Sequence, residues 1–140
     1  IRSESDCNSL KEALIDGTID YLTSMHEPYD INHKKVVFDD ASPGSIGLES
    51  MFGLMCNQFT LEKTIDILTR RKIIFEIDDH SIEVGSKANL SLFNPDKNYE
   101  FSDKHILSSS KNCAYLGNKL KGVVYGSVNG DKLTLNKIWT

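Results

Sequence analysis

The chain has 140 residues, a formal net charge of −4 and ordinary shares of apolar and charged residues. That length suits one domain, and the mild acidity argues against nucleic-acid or anionic-membrane partners. No apolar run is long enough to span a bilayer and no secretory leader pattern stands at Ile1, so a cytoplasmic protein is expected. Cys7, Cys56 and Cys113 are odd in number and widely spaced, which reads as reduced thiols and not as a disulfide framework. A first residue of Ile in place of Met suggests a processed chain or a fragment.

The first element is a helix capped by Ser5 or Asp6 and running to about Ile15, with Cys7, Leu10, Ala13 and Leu14 on one face and Gly17 as its stop. A short buried strand follows at Ile19, Tyr21 and Leu22. It ends in the polar and ring side chains of Met25-His26-Glu27-Pro28-Tyr29, where Pro28 biases Glu27 toward extended backbone. In parallel α/β proteins the C-terminal end of a strand displays binding and catalytic groups. Asp30 to Ser45 has no sustained periodicity, apart from a short extended stretch at Val36-Val37-Phe38 and a Pro43-Gly44 turn.

Ser45 is placed to cap a second helix from Ile46 to about Phe59, whose stripe of Leu48, Met51, Phe52, Met55 and Phe59 reads as core, with Glu49 in its first turn. Thr60 caps a third helix, Leu61 to Arg71, with Leu61, Ile65 and Leu68 inward. The basic run Arg70-Arg71-Lys72 complements that helix's C-terminus. After Ile73-Ile74-Phe75 and an Asp78-Asp79-His80 turn, the pattern changes to strands. They fall at Ser81 to Val84, Asn89 to Phe93, His105 to Ser108, Gly122 to Val128 and Lys132 to Leu135. Asn94-Pro95-Asp96 marks a turn, and Asn129-Gly130-Asp131 is a hairpin signal. A boundary near Asp78 separates mainly helical chain from antiparallel β.

Several stretches follow one another in a specific order and spacing: Arg2-Ser3, Asp16-Gly17-Thr18-Ile19-Asp20, His26-x-Pro28, Pro43-Gly44-x-x-Gly47-Leu48-Glu49, Ile82-Glu83-Val84-Gly85-x-x-Ala88-Asn89-Leu90-x-Leu92-Phe93 and Leu116-Gly117-x-x-Leu120-x-Gly122-x-Val124. Together they resemble the C-terminal part of dihydroorotases, zinc-dependent cyclic amidohydrolases built on a TIM barrel. The resemblance implies an α/β fold: a C-terminal segment of the barrel, its last βα unit plus helices, over residues 1–78, then strands of an antiparallel β-sandwich over 79–140. A whole barrel needs roughly 250 residues, so the remainder of the barrel is an implied partner.

The resemblance also implies a site. The family's last barrel strand ends in Asp-His-x-Pro-His, whose Asp ligates zinc and carries a proton and whose final His helps bind substrate. Met25 stands at the Asp position and Tyr29 at the His position. A thioether carries no proton and is a poor ligand for a hard oxygen-and-nitrogen zinc site. His26, Tyr29, Pro43 and Gly44 are then the substrate-binding candidates, with no intact catalytic residue and no metal expected on this chain, although active members use zinc. The implied protein is a dihydroorotase-like pseudoenzyme of pyrimidine biosynthesis, homo-oligomeric, with aspartate transcarbamoylase as a possible partner.

The residues themselves add little metal chemistry. His26, His33, His80 and His105 fall at no zinc-motif spacing, though His26 and His33 could approach across a loop. Two alternatives stand beside the degenerate reading. One is an active zinc cyclic amidohydrolase drawing its carboxylate from elsewhere, Glu27 being the nearest. The other is a non-enzymatic α+β interaction domain using its Met/Phe helix face.

Overall fold

A computed structural model of the chain describes residues 3–70, 75–77 and 82–139. Two compact units emerge, one of Ile1–Leu22 with Phe59–Ser86, the other of Thr23–Gln58 with Lys87–Thr140. Arg71, Lys72, Ile73, Ile74, the Asp78-Asp79-His80 turn with its expected boundary, and Ser81 lie outside the described residues.

In the first unit, α1 (Glu4–Asp16) is capped by Ser3, whose hydroxyl accepts the Asp6 N–H at 3.0 Å. Capping thus falls two residues before Ser5, which places the acidic Glu4 and Asp6 in the first turn, where the helix dipole favours them. Gly17, at φ 89°, closes the helix in the left-handed conformation. No basic residue stands in the last turn of α1, and its open carbonyls are met from another helix.

That helix is α3 (Leu61–Thr69), capped by Thr60 as expected; the intervening α2 belongs to the second unit. Lys63 Nζ donates to the Ile15 carbonyl at 3.2 Å, and Arg70 Nη2 donates to those of Leu14 and Ile19 at 2.7 and 2.9 Å. Arg70 therefore serves the end of α1, not only its own helix. Thr64 and Ile67 are the buried residues of α3, while Ile65 and Leu68, expected inward, are more than a third exposed.

The expected strand at Ile19–Leu22 is absent. Its backbone groups are spent on the helix end: the Ile19 N–H donates to Ala13 O at 2.9 Å, and the Ile19 and Asp20 carbonyls accept from Arg70. A strand needs a neighbouring ladder to satisfy those groups, and here a helix terminus takes them.

The second unit carries α2 (Met51–Gln58) and a three-stranded antiparallel sheet in the order β1 (Asn89–Glu100), β2 (Lys119–Asn129), β3 (Lys132–Leu135). β2 and β3 meet at the expected hairpin. Asn129 pairs with Lys132, and Gly130, at φ 61°, makes the turn that a side chain would strain. β1 runs straight through Asn94-Pro95-Asp96, which forms an irregularity within the strand and not a chain reversal. Asn94 Oδ1 accepts the Asp96 N–H at 2.9 Å, and Pro95, with no N–H to contribute, sits where the ladder lapses. Residues 82–84 form no strand, and a 3₁₀ turn at Asp103–His105 replaces the one expected from His105. Two further 3₁₀ turns, Ile31–His33 and Phe38–Asp40, punctuate the loop, with Val37 extended between them.

The second helix starts five residues later than its periodicity suggests. Ile46 is fully buried and its N–H donates to Asn112 O at 2.9 Å, so it belongs to a paired extended segment. It packs in a core with Phe101, Ile106 and Leu120, against which Leu54, Tyr99 and Cys113 lean. The Met/Phe stripe is largely used internally: Met55 is buried, and Phe52 lies 5.0 Å from the Phe93 ring.

Candidate functional site

The candidate site lies wholly in the second unit, where residues 24–29 meet residues 42–50. The Thr23 hydroxyl accepts the Met25 N–H at 3.3 Å, and Met25 turns at φ 44°, with its side chain two-thirds exposed. A positive φ is uncommon outside Gly, Asn and Asp. Beyond the turn, the Glu27 N–H donates to Ser45 O at 3.1 Å, and His26 and Ser45 form a single parallel bridge.

His26 is the centre of a proton-ordered chain. Its Nδ1 faces the backbone N–H groups of Gly47 and Leu48, each at 3.3 Å. Those groups only donate, so Nδ1 carries no proton and the neutral ring holds it on Nε2. Nε2 lies 3.4 Å from Ser108 Oγ, and the Ser108 hydroxyl donates in turn to Glu49 Oε1 at 2.5 Å. The Ser108 N–H reaches the same oxygen at 2.8 Å. Glu49 therefore does not sit in a first helical turn as expected; it stands in the turn before α2. Burial pushes its carboxyl up, but the hydrogen bonds from the Ser108 hydroxyl and amide outweigh that and hold it below its ordinary value.

The expected substrate-binding residues part company. Met25, Glu27 and Gly44 line one cavity of about 260 Å³. Gly44 turns at φ 98°, and a Cβ there would overlap the Glu27 carboxyl group; a Cβ on Gly47 would come 2.7 Å from Ser24 O. Pro28 and Tyr29 line a different cavity, of about 610 Å³, against residues 109–113. The Tyr29 ring lies 6.1 Å from that of His33, and Lys34 Nζ stands 5.0 Å above it. His26 and Pro43 line neither.

Lys34, Asn112 and Ser108 were not legible as site residues. Lys34 Nζ donates to the carbonyls of Ser42 and Gly44 at 2.6 Å, and Asn112 Nδ2 donates to Gly44 O at 3.1 Å. Ser45 is likewise no helix cap: its hydroxyl accepts the Ala114 N–H at 2.9 Å.

The zinc implied by the resemblance finds no fitting donor set in this unit. Met25 presents a thioether, and both nitrogens of His26 are committed to Gly47, Leu48 and Ser108. His26 and His33 have different neighbours. Among the described residues, no three His, Cys, Asp or Glu side chains are grouped to hold a metal ion.

No family model matches the chain. Known sequences do. A dihydroorotase of Macrococcus caseolyticus is 36% identical over 143 residues, covering 96% of this chain and 32% of that protein. One of Chlorobaculum tepidum is 32% identical over 142 residues, with 96% and 32% covered. The chain is a relative of the dihydroorotases, matching a C-terminal part of them. It spans about a third of the length of these relatives. In fold this dihydroorotase-like chain resembles a D-hydantoinase, with a TM-score of 0.78 at 20% identity, covering 98% of this chain and 33% of that one. It also resembles a D-hydantoinase (dihydropyrimidinase) from Thermus sp., with a TM-score of 0.72 at 22% identity, covering 99% and 34%. The mixed α/β architecture with its antiparallel sheet thus has the fold of about a third of a D-hydantoinase chain. Among the described residues no helix is long and apolar enough to cross a membrane.

Proposed function

We propose that this chain is part of a dihydroorotase-like protein of pyrimidine biosynthesis whose hydrolysis of dihydroorotate to N-carbamoyl-aspartate is lost. Met25 carries the reading. It stands where the family places its aspartate, and it lines the cavity that Gly44 shapes, yet it offers no oxygen to a metal and no site for a proton. Its left-handed backbone is one that aspartate tolerates better than methionine does. In this reading residues 1–78 belong to the barrel and 79–140 to the sandwich. β3, with all four residues exposed, including Leu133 and Leu135, is the edge to which more of the sandwich adds. The rest of the barrel, a second copy and aspartate transcarbamoylase are the proposed partners, in the cytoplasm.

One observation favours a second reading, an active enzyme with a displaced carboxylate. Glu27 shares the cavity with Met25 and lies against Gly44. Zinc titration by calorimetry separates the two in the protein that carries this chain. Under the first reading Met25→Asp gains zinc binding that the parent lacks. Equal binding by both, abolished by Glu27→Gln, would establish the second.

A further inference from the structure

The segment after β3 is anchored at Asn136, whose N–H donates to Tyr125 O at 2.6 Å and so ties it to β2. Beyond that anchor the backbone bonds are local. The Ile138 N–H goes to Asn136 Oδ1 and the Trp139 N–H to Asn136 O, each at 3.1 Å. Trp139 docks through its ring: edge-on to Tyr99 at 5.0 Å, stacked on His105 at 4.9 Å, and with Lys97 Nζ 5.0 Å from its centre. We propose that residues 137–139 form a proton-operated latch hinged at Asn136, in which protonation of His105 releases Trp139 while the sheet stays folded. The proposal is independent of the proposed activity.

His105 is built to be neutral. Its ring is 6% exposed and lies between two nearly parallel rings, Phe101 at 5.8 Å and Trp139 at 4.9 Å. Nδ1 faces the Ser102 N–H at 2.9 Å, a group that only donates. The proton of the neutral ring is therefore on Nε2, which is buried with no partner among the described residues. A second proton, on Nδ1, sets two donors against each other and leaves a charged ring with an unpaired, buried N–H. The Ser102 hydroxyl, 3.1 Å from Nδ1, can accept only one of the two ring protons. A cation stacked on an aromatic ring is attracted to it, but by less than an unpaired buried charge costs.

The surrounding charges press the same way. Lys104 is the neighbour of His105 on its turn, and Lys97 stands over the indole. Asp103 opens that turn and Glu49 lines the cavity that His105 and Trp139 share, yet neither is ion-paired to His105 among the described residues. The Tyr99 phenol, pushed up to about 12 by burial first and Cys56 second, stays neutral throughout. Of the rings around His105, Phe101 is fixed in the core and Tyr99 lies within β1. Trp139, half-buried on a hinged segment, is the one that can leave and let water reach Nε2.

Fluorine NMR of the protein that carries this chain, labelled with 5-fluorotryptophan, tests the latch. The Trp139 resonance is the one lost in Trp139→Phe. Titration runs from about pH 8 to pH 4.5, a range that ends before Glu49 takes up its proton. The resonance is expected to move with a one-proton midpoint below 6.5 and to acquire the H₂O/D₂O shift of a solvated indole, with the far-UV circular dichroism unchanged. Lys104→Gln, at an exposed position, removes a neighbouring positive charge and should raise the midpoint. His105→Asn, which cannot titrate, should hold the resonance at one position; where that variant does not fold, Lys104→Gln decides the matter. A resonance that stays put or gains no solvent shift in the folded parent would overturn the proposal. So would a midpoint indifferent to Lys104→Gln, or a titration that survives in His105→Asn.

Discussion

Ser108 and Glu49, 59 residues apart in the chain, are joined twice through one carboxylate oxygen, by the Ser108 N–H and by its hydroxyl. That pair extends to His26 and so ties the segment behind Met25 to the turn before α2. Ser108→Ala removes the middle of the chain and leaves a partly buried carboxylate short of a donor. The expected cost is about 1–3 kcal/mol, read as a lowered urea midpoint with an unchanged slope. Ser108→Thr retains the hydroxyl and should recover most of it. An Ala variant as stable as the parent would show that the chain contributes nothing to folding.

The backbone at Met25 makes a separate prediction. Its φ of 44° costs an L-residue roughly 1–2 kcal/mol, less for Asn or Asp and least for Gly. Met25→Asn is expected to raise stability by up to about 1 kcal/mol, since the two-thirds-exposed side chain leaves no cavity behind. Met25→Val should lower it, because branching at Cβ crowds the left-handed region further. Thermal melts of the two variants decide the matter, and the reverse order would contradict the geometry.

Gly44 and Gly47 test the closeness of the two segments. At Gly44 an added methyl meets both a left-handed backbone and the Glu27 carboxyl group; at Gly47 it meets the Ser24 carbonyl. Gly44→Ala is expected to cost about 1–3 kcal/mol. Pairing it with Glu27→Ala should return part of that loss, because the side-chain overlap is relieved while the backbone strain stays. Strict additivity in this double-mutant cycle would mean that Glu27 does not lie over Gly44.

Acid should unfold the second unit in two stages. Burial, followed by the charge of Lys104, holds His105 below its ordinary value of 6.5. The unfolded chain then binds the proton first, so this stability is complete above pH 6.5 and is lost as pH falls below it toward the lowered folded value. Glu49, held below its ordinary 4.5, contributes stability that is complete above pH 4.5 and is lost as pH falls further. Urea midpoints measured from pH 8 to pH 3 should show both descents, and His105→Asn should remove only the upper one.

Local chemistry was legible in the sequence where it acts over a few residues. Gly17 stops α1, Thr60 starts α3, and Gly130 turns β2 into β3 at the places their conformational preferences dictate. The resemblance carried by Pro43-Gly44-x-x-Gly47-Leu48-Glu49 and by the later stretches likewise led to the dihydroorotases. What failed was long-range. The apolar run at Ile19–Leu22 has strand composition, but Arg70, some fifty positions on, takes its carbonyls. Helical spacing from Ile46 is real, yet Asn112 and His26 occupy the N–H groups of the first turn. Ser108 and Lys34 carry no signal at all, because an isolated Ser or Lys in a loop acquires its role only from the segments brought to it.

The measurement that bears most directly on the account is dihydroorotate hydrolysis by the zinc-supplemented protein that carries this chain, set against a metal-free control. With Met25 in place of the family's aspartate, turnover is expected to be indistinguishable from the control. Loss of a general base alone costs about 10²–10⁴-fold, and loss of a metal ligand adds to it. Turnover well above the control would contradict the account and move the search for the working carboxylate to Glu27.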